Sequence, residues 1–138
     1  GMGSESLIGY IFSLKALAYM EKEDFEKAGE QLKLASENFN AEKFDEAIGY
    51  YILILAYYLF CLNDYRNAML LAGISKNIFS KYSFTPWHML SGLFRNINIH
   101  VKSFSADEYS EELRKGLEMN VYRAVEIASQ VLNSNNKI

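Results

Sequence analysis

The run "AIGYYILILAYYLFCL", Ala47–Leu62, carries no charged side chain, and its reading decides the fold. A stretch like this is either a membrane span or the central helix of a helical domain. A span needs about 18 or more predominantly apolar residues. This run stops short of that, contains four tyrosines and is closed by Asn63-Asp64. A helix that is apolar on every side within a soluble domain is the one its neighbours surround. Ala47–Leu62 is therefore expected at the centre of a core, with no membrane partner.

Neighbours are available on both sides, because the apolar spacing is helical almost throughout. Leu7, Ile11, Leu14 and Ala18 make one stripe, and Phe25, Ala28, Leu32, Ala35 and Phe39 make a second. Lys27, Glu30, Gln31 and Lys33 fall on the polar side of the second. After the central helix, a fourth is expected over 64–82, with Tyr65, Ala68, Ala72, Ser75 and Phe79 facing inward. Thr85-Pro86 sets a capping hydroxyl before a proline at the first helical position, where its missing N–H costs nothing. "SADE", Ser105–Glu108, is a capping box, with Phe104 placed to staple onto Tyr109. The helix it opens is expected to run to about Leu132, with Tyr109, Leu113, Leu117, Val121, Ala124, Ala128 and Val131 inward. Gly116 is expected to bend it, since glycine costs about 1 kcal/mol against alanine in a helix interior.

The fold expected is all-α: about six antiparallel helices packed as a bundle of helical hairpins. In 138 residues with a single proline and 50% hydrophobic composition, one domain with its own core is the natural solution. Its expected extent is 5–133, followed by a frayed tail over 134–138. The opening "GMGS" reads as the remnant of a cleaved tag and is left outside the fold. A formal charge of −3 argues against a broad DNA-binding surface. The lone Cys61 has no partner for a disulfide within the chain, which fits a reduced, cytoplasmic setting. Lying in an apolar run with no cationic neighbour in sequence, it reads as an inert core thiol. His88 and His100 lack companion ligands, so no metal site is expected. No phosphate loop or nucleophile elbow is present, and no cofactor is implied.

Three helix starts share a phrase: "EDFEKA" ending at Ala28, "EKFDEA" at Ala47 and "NDYRNA" at Ala68. Each pairs an aromatic residue with an alanine three positions later, after a polar turn. The aromatic covers the end of the preceding helix, and the small alanine lets two helices approach. This phrase resembles the turn and second helix of tetratricopeptide repeats. The aromatic positions 25, 44 and 65 lie 19 and 21 residues apart, whereas that family repeats at about 34, and its first-helix signature is absent. The resemblance implies helical hairpins of related packing and, as a function, a non-catalytic protein–protein interaction module.

A second resemblance covers Phe25–Leu62 together with "RNINIH", Arg95–His100. The hairpin and the hexapeptide are similar to those of the HEPN superfamily of small prokaryotic helical proteins, some of them ribonucleases. The resemblance implies a homodimer that cleaves RNA without metal, or a degenerate relative that binds RNA or nucleotide. Arg95 would hold a phosphate through its bidentate donors, His100 would shuttle a proton, and Asn96 would position one of them. Val101-Lys102 stands where one subgroup carries a tyrosine that a partner nucleotidyltransferase modifies. On a straight helix, five steps separate Arg95 from His100 by about 140°. The two meet only where the helix breaks near Asn98, or across a dimer. Otherwise Asn96 and His100 form an ordinary i, i+4 pair at the margin of a core.

Overall fold

The computed structural model describes residues 4–39, 46–81, 109–120 and 123–135. Among them it contains six helices and no strand: α1 Ser4–Glu21, α2 Phe25–Ser36, α3 Glu46–Cys61, α4 Tyr65–Lys81, α5 Ser110–Glu118 and α6 Ala124–Asn135. The all-α bundle expected from the sequence is what forms. The expected helix after Pro86 and the "SADE" capping box lie outside the described residues.

Helix α3 is the centre. It packs against α1, α2, α4 and α6, and every residue from Ala47 to Ala56 is buried. Tyr50, Tyr51, Ile52, Leu53, Ile54, Leu55 and Leu59 are among the largest fully enclosed side chains. Full burial of such a residue contributes about 1.5–3 kcal/mol, which is why an uncharged run assembles the domain around itself. No described helix is long and apolar enough to cross a membrane.

The α1–α2 and α3–α4 turns explain how the hairpins close. At the first, Asp24 N–H donates to Tyr19 O at 2.9 Å and Glu23 N–H to Met20 O at 3.0 Å. At the second, Asp64 N–H donates to Leu59 O at 2.9 Å and Asn63 N–H to Phe60 O at 3.0 Å. Both pairs form a Schellman motif whose left-handed residue is Glu23 (φ 60°) or Asn63 (φ 66°). The aspartate then caps the next helix: Asp24 Oδ1 accepts from Lys27 N–H at 3.2 Å, and Asp64 Oδ1 from Asn67 N–H at 3.4 Å.

The two turns lie forty residues apart, and so does much else. Ile8-Gly9-Tyr10 matches Ile48-Gly49-Tyr50, Ala16 matches Ala56, Ala28 matches Ala68, and Phe39 matches Phe79. The contacts repeat as well. A Cβ on Gly9 would meet the Phe39 ring at 2.7 Å, and one on Gly49 would meet Phe79 at 3.4 Å. In each hairpin, therefore, a glycine on the first helix receives a phenylalanine from beyond or near the end of the second. The first and third of the repeated phrases mark this register; most of the middle phrase lies outside the described residues.

Two expectations are corrected. In α1 the stripe Leu7, Ile11, Leu14, Ala18 is not the inward one. Leu7, Ile11 and Ala18 are exposed, and Tyr10, Ser13, Ala16, Leu17 and Met20 are buried instead. Both faces of this helix are apolar, and the face bearing Tyr10 wins because its ring packs on Tyr50 at 5.4 Å.

The last helix is also not continuous. It stops at Glu118, and Met119 is extended (ψ 141°) before α6 begins. Gly116 does not bend it but fits it against α4. A Cβ on Gly73 would meet Leu113 O at 2.5 Å, and one on Gly116 would overlap Leu70 O. This backbone-to-backbone crossing makes Gly116 the buried residue of α5 and turns Leu117 out to solvent, 43% exposed. Asn77 Nδ2 donates to the Met119 carbonyl at 2.8 Å, giving that group a partner where the helix ends. α5 packs on α4 alone among the described elements, whereas α6 packs on α2, α3 and α4.

Candidate functional site

Arg95, Asn96 and His100 lie outside the described residues, as does His88. Among the described residues no group of three His, Cys, Asp or Glu side chains is arranged to hold a metal ion. Cys61 is half-buried in the apolar run. Burial pushes its thiol above the ordinary value, and a hydrogen bond with Tyr57 works in the opposite direction. A raised thiol pKa leaves little thiolate near neutrality, so Cys61 is not an activated nucleophile. The Tyr51 hydroxyl is wholly enclosed and held far above its usual value by desolvation, partly offset by Ser36. It is a packing residue.

The described surface does hold one cleft with a distinct chemical character. It has a volume of about 310 Å³ and is lined by Lys15, Ala18, Tyr19 and Lys22, with Gln31 reaching in from α2. Lys15, Ala18 and Tyr19 fall at i, i+3 and i+4, which a helix places on one face, and Lys22 follows in the turn just past the end of α1. Lys15 and Lys22 stand two turns apart, about 10 Å along the axis, with Ala18 between them. The small alanine opens the floor of the cleft, and Gln31 supplies one wall.

The two ammonium groups are uncommitted. No carboxylate among the described residues lies within ion-pair distance of either, and the one recorded partner of Lys15 is the Phe12 ring, 5.4 Å from Nζ to centroid. Lys27, nearby on α2, differs: it pairs with Asp24 at 3.8 Å and lies over the Tyr19 ring at 5.8 Å. Gln31 Oε1 is buried and accepts no hydrogen bond among the described residues. Leaving a buried polar atom unmatched costs about 1–3 kcal/mol, a cost a bound group with a donor would relieve. The two lysines give the cleft a positive character suited to a negatively charged group, and that character does not involve the Gln31 oxygen, which is an acceptor.

Sequence reasoning put Ala18 on an apolar stripe and Gln31 on the polar side of its helix, and singled out neither lysine. The signal was present around α1, where Lys15 in a mostly apolar helix and Lys22 just past its end stand seven residues apart. Gln31 joins them only when the turn at Glu23 folds α2 back alongside. Comparison with known proteins adds no name to this arrangement: no protein-family model, curated protein or solved structure matches the chain.

Proposed function

We propose that the chain is a non-catalytic interaction module, a scaffold of helical hairpins that presents helix faces to another protein. The observation that supports this reading is the forty-residue repeat. Two successive hairpins share the same Schellman turn, the same aspartate cap and the same glycine–phenylalanine contact. Stacked helical hairpins generate extended surfaces, and that is the usual employment of such architecture. The cleft on the first hairpin, which presents two lysines on an exposed face, is of a kind with it.

The RNA-cleaving reading rests on "RNINIH" and needs two chains, so that Arg95, Asn96 and His100 of both line one cleft. It makes the opposite forecast in a simple assay. Wild type and His100→Ala at micromolar concentration are each incubated with end-labelled unstructured and hairpin RNAs. The interaction module leaves all of them intact. Cleavage by wild type that His100→Ala abolishes overturns this reading and establishes the ribonuclease.

A further inference from the structure

We propose that the outer face of α1 is a docking face for an acidic amphipathic helix of a partner protein. This rests on the interaction-module reading and names its partner. The argument comes from the internal repeat, which shows what the same face does one hairpin later.

Leu7, Ile8, Ile11, Lys15 and Ala18 on α1, with Lys22 in the turn just after it, form one continuous exposed row. Forty residues on, they correspond to Ala47, Ile48, Tyr51, Leu55, Tyr58 and Leu62. The first five of these are buried, none more than 5% exposed. At the two positions where a contact fixes the direction, the covering element is the first hairpin. The Tyr51 ring packs on Phe39, with centroids 5.1 Å apart, and the Tyr58 hydroxyl lies 2.7 Å from where a Cβ on Gly29 would sit. This row is therefore the face one hairpin turns toward the hairpin before it. Around α3 it is filled by helices; around α1 it is open.

The open row is not built as a solvent cap. A face left to solvent is ordinarily polar, yet Leu7, Ile8 and Ile11 stand 47, 44 and 45% exposed in succession. The lower half is polar and of one sign. There Lys15 and Lys22 flank Ala18 over the cleft, neither paired with a carboxylate among the described residues. Ala18 stands where the second hairpin has Tyr58, so a visiting helix finds room for a large side chain at that point. The complement is a helix with aliphatic residues over Leu7 and Ile11, a bulky apolar residue over Ala18, and two carboxylates seven residues apart over the lysines.

A second copy of this chain is a poorer match among the described residues. Its α5 offers carboxylates at that spacing, Glu111 and Glu118, but Arg114 already holds both, at 2.8 Å in the case of Glu118. That leaves one net charge where the lysines present two.

The test uses the full chain and a defined probe. The probe is a fluorescein-labelled, stapled helix of about five turns. One of its faces carries two glutamates seven residues apart, a leucine between them and two leucines beyond. A control probe has both glutamates replaced by lysine. By fluorescence anisotropy, wild type is expected to bind the acidic probe at least tenfold more tightly than the control. Lys15→Glu combined with Lys22→Glu is expected to reverse that preference, and Ile11→Asp to abolish binding of both. All three positions are exposed, so the variants keep the fold, which far-ultraviolet circular dichroism checks.

Absence of binding, equal binding of the two probes, or a preference that survives the double charge reversal overturns the proposal. So does a concentration-dependent dimer that Ile11→Asp dissolves, which assigns the face to a second copy. None of these outcomes involves His100. A His100-dependent ribonuclease would sink the interaction-module reading on separate evidence.

Discussion

Helix α4 holds one neighbour by interlocking side chains and another by the bare approach of two backbones. Its contact with α3 runs through the Phe79 ring on Tyr50, centroids 5.4 Å apart, through Ile78 and Phe79 over Gly49, and through Ser75 Oγ donating to Gly49 O at 3.3 Å. Its contact with α5 centres on Gly73 and Gly116. Polar and aromatic groups surround that point: the Arg66–Glu112 ion pair at 2.5 Å, Arg66 over the Tyr109 ring, and Asn77 on Met119 O. The α3 interface buries large apolar surface and draws its stability from area. The α5 interface buries little and draws on close dispersion contact that no added atom can share. Local opening is expected to begin at α5, since regions with few buried apolar contacts open first.

The sharpest way to break this contrast is to damage each interface alone. Leu53→Ala, in the enclosed part of α3, is expected to cost about 3–4 kcal/mol. It should lower the urea midpoint of the whole domain in one transition. Gly116→Ala should behave differently. The new Cβ meets backbone atoms, Ile74 N at 2.8 Å and Gly73 Cα at 2.9 Å, which have no rotamer to yield. A cost of about 2 kcal/mol is expected from overpacking, even though alanine favours the helix by about 1 kcal/mol. Amide hydrogen exchange should then accelerate across α5 while α3 stays protected. Equal acceleration in both helices would erase the distinction.

A smaller effect follows from Arg66→Ala, which removes the pair with Glu112 and the stacking on Tyr109. Arg66 is well exposed, so a loss of about 0.5 kcal/mol is expected, visible as faster exchange at the start of α5. The smallest concerns acid. Arg114 hydrogen-bonds Glu111 and holds its carboxyl below the usual carboxylate range. A carboxyl depressed in the folded state contributes stability that is complete above its unfolded value and is lost as pH falls through the folded one. Protection factors in α5 should therefore decline as the pH falls below the ordinary glutamate range. Those in α3 should not follow from this cause, since no charged residue lies between Ala47 and Leu62.

The same contrast explains what could be read beforehand. A helix that lacks charge on every side has one available place, and α3 declares it in its own residues. α1 is apolar on two faces, and periodicity alone does not choose between Leu7–Ile11 and Tyr10–Leu17; the partner ring of Tyr50 does. Gly116 looks like a weak point within its helix until Gly73, forty-three residues earlier, is known to lie across from it. The cleft is in the same position, because Lys15 and Lys22 acquire Gln31 only through the hairpin turn. Arg95, Asn96 and His100 are legible as a motif, and they lie outside the described residues.

The paired turns carry a consequence for how the chain acquires its structure. Each hairpin closes through bonds between residues five or fewer apart at its corner, so each is assembled from local contacts, the kind that form quickly. α6 is the opposite: it reaches back to α2, across most of the chain, and must wait for the hairpins to be in place. Folding is thus expected to run from two like corners inward, with α6 as the closing step. Weakening a corner by Asp64→Ala would slow folding, whereas weakening α6 by Ala128→Gly would mainly speed unfolding.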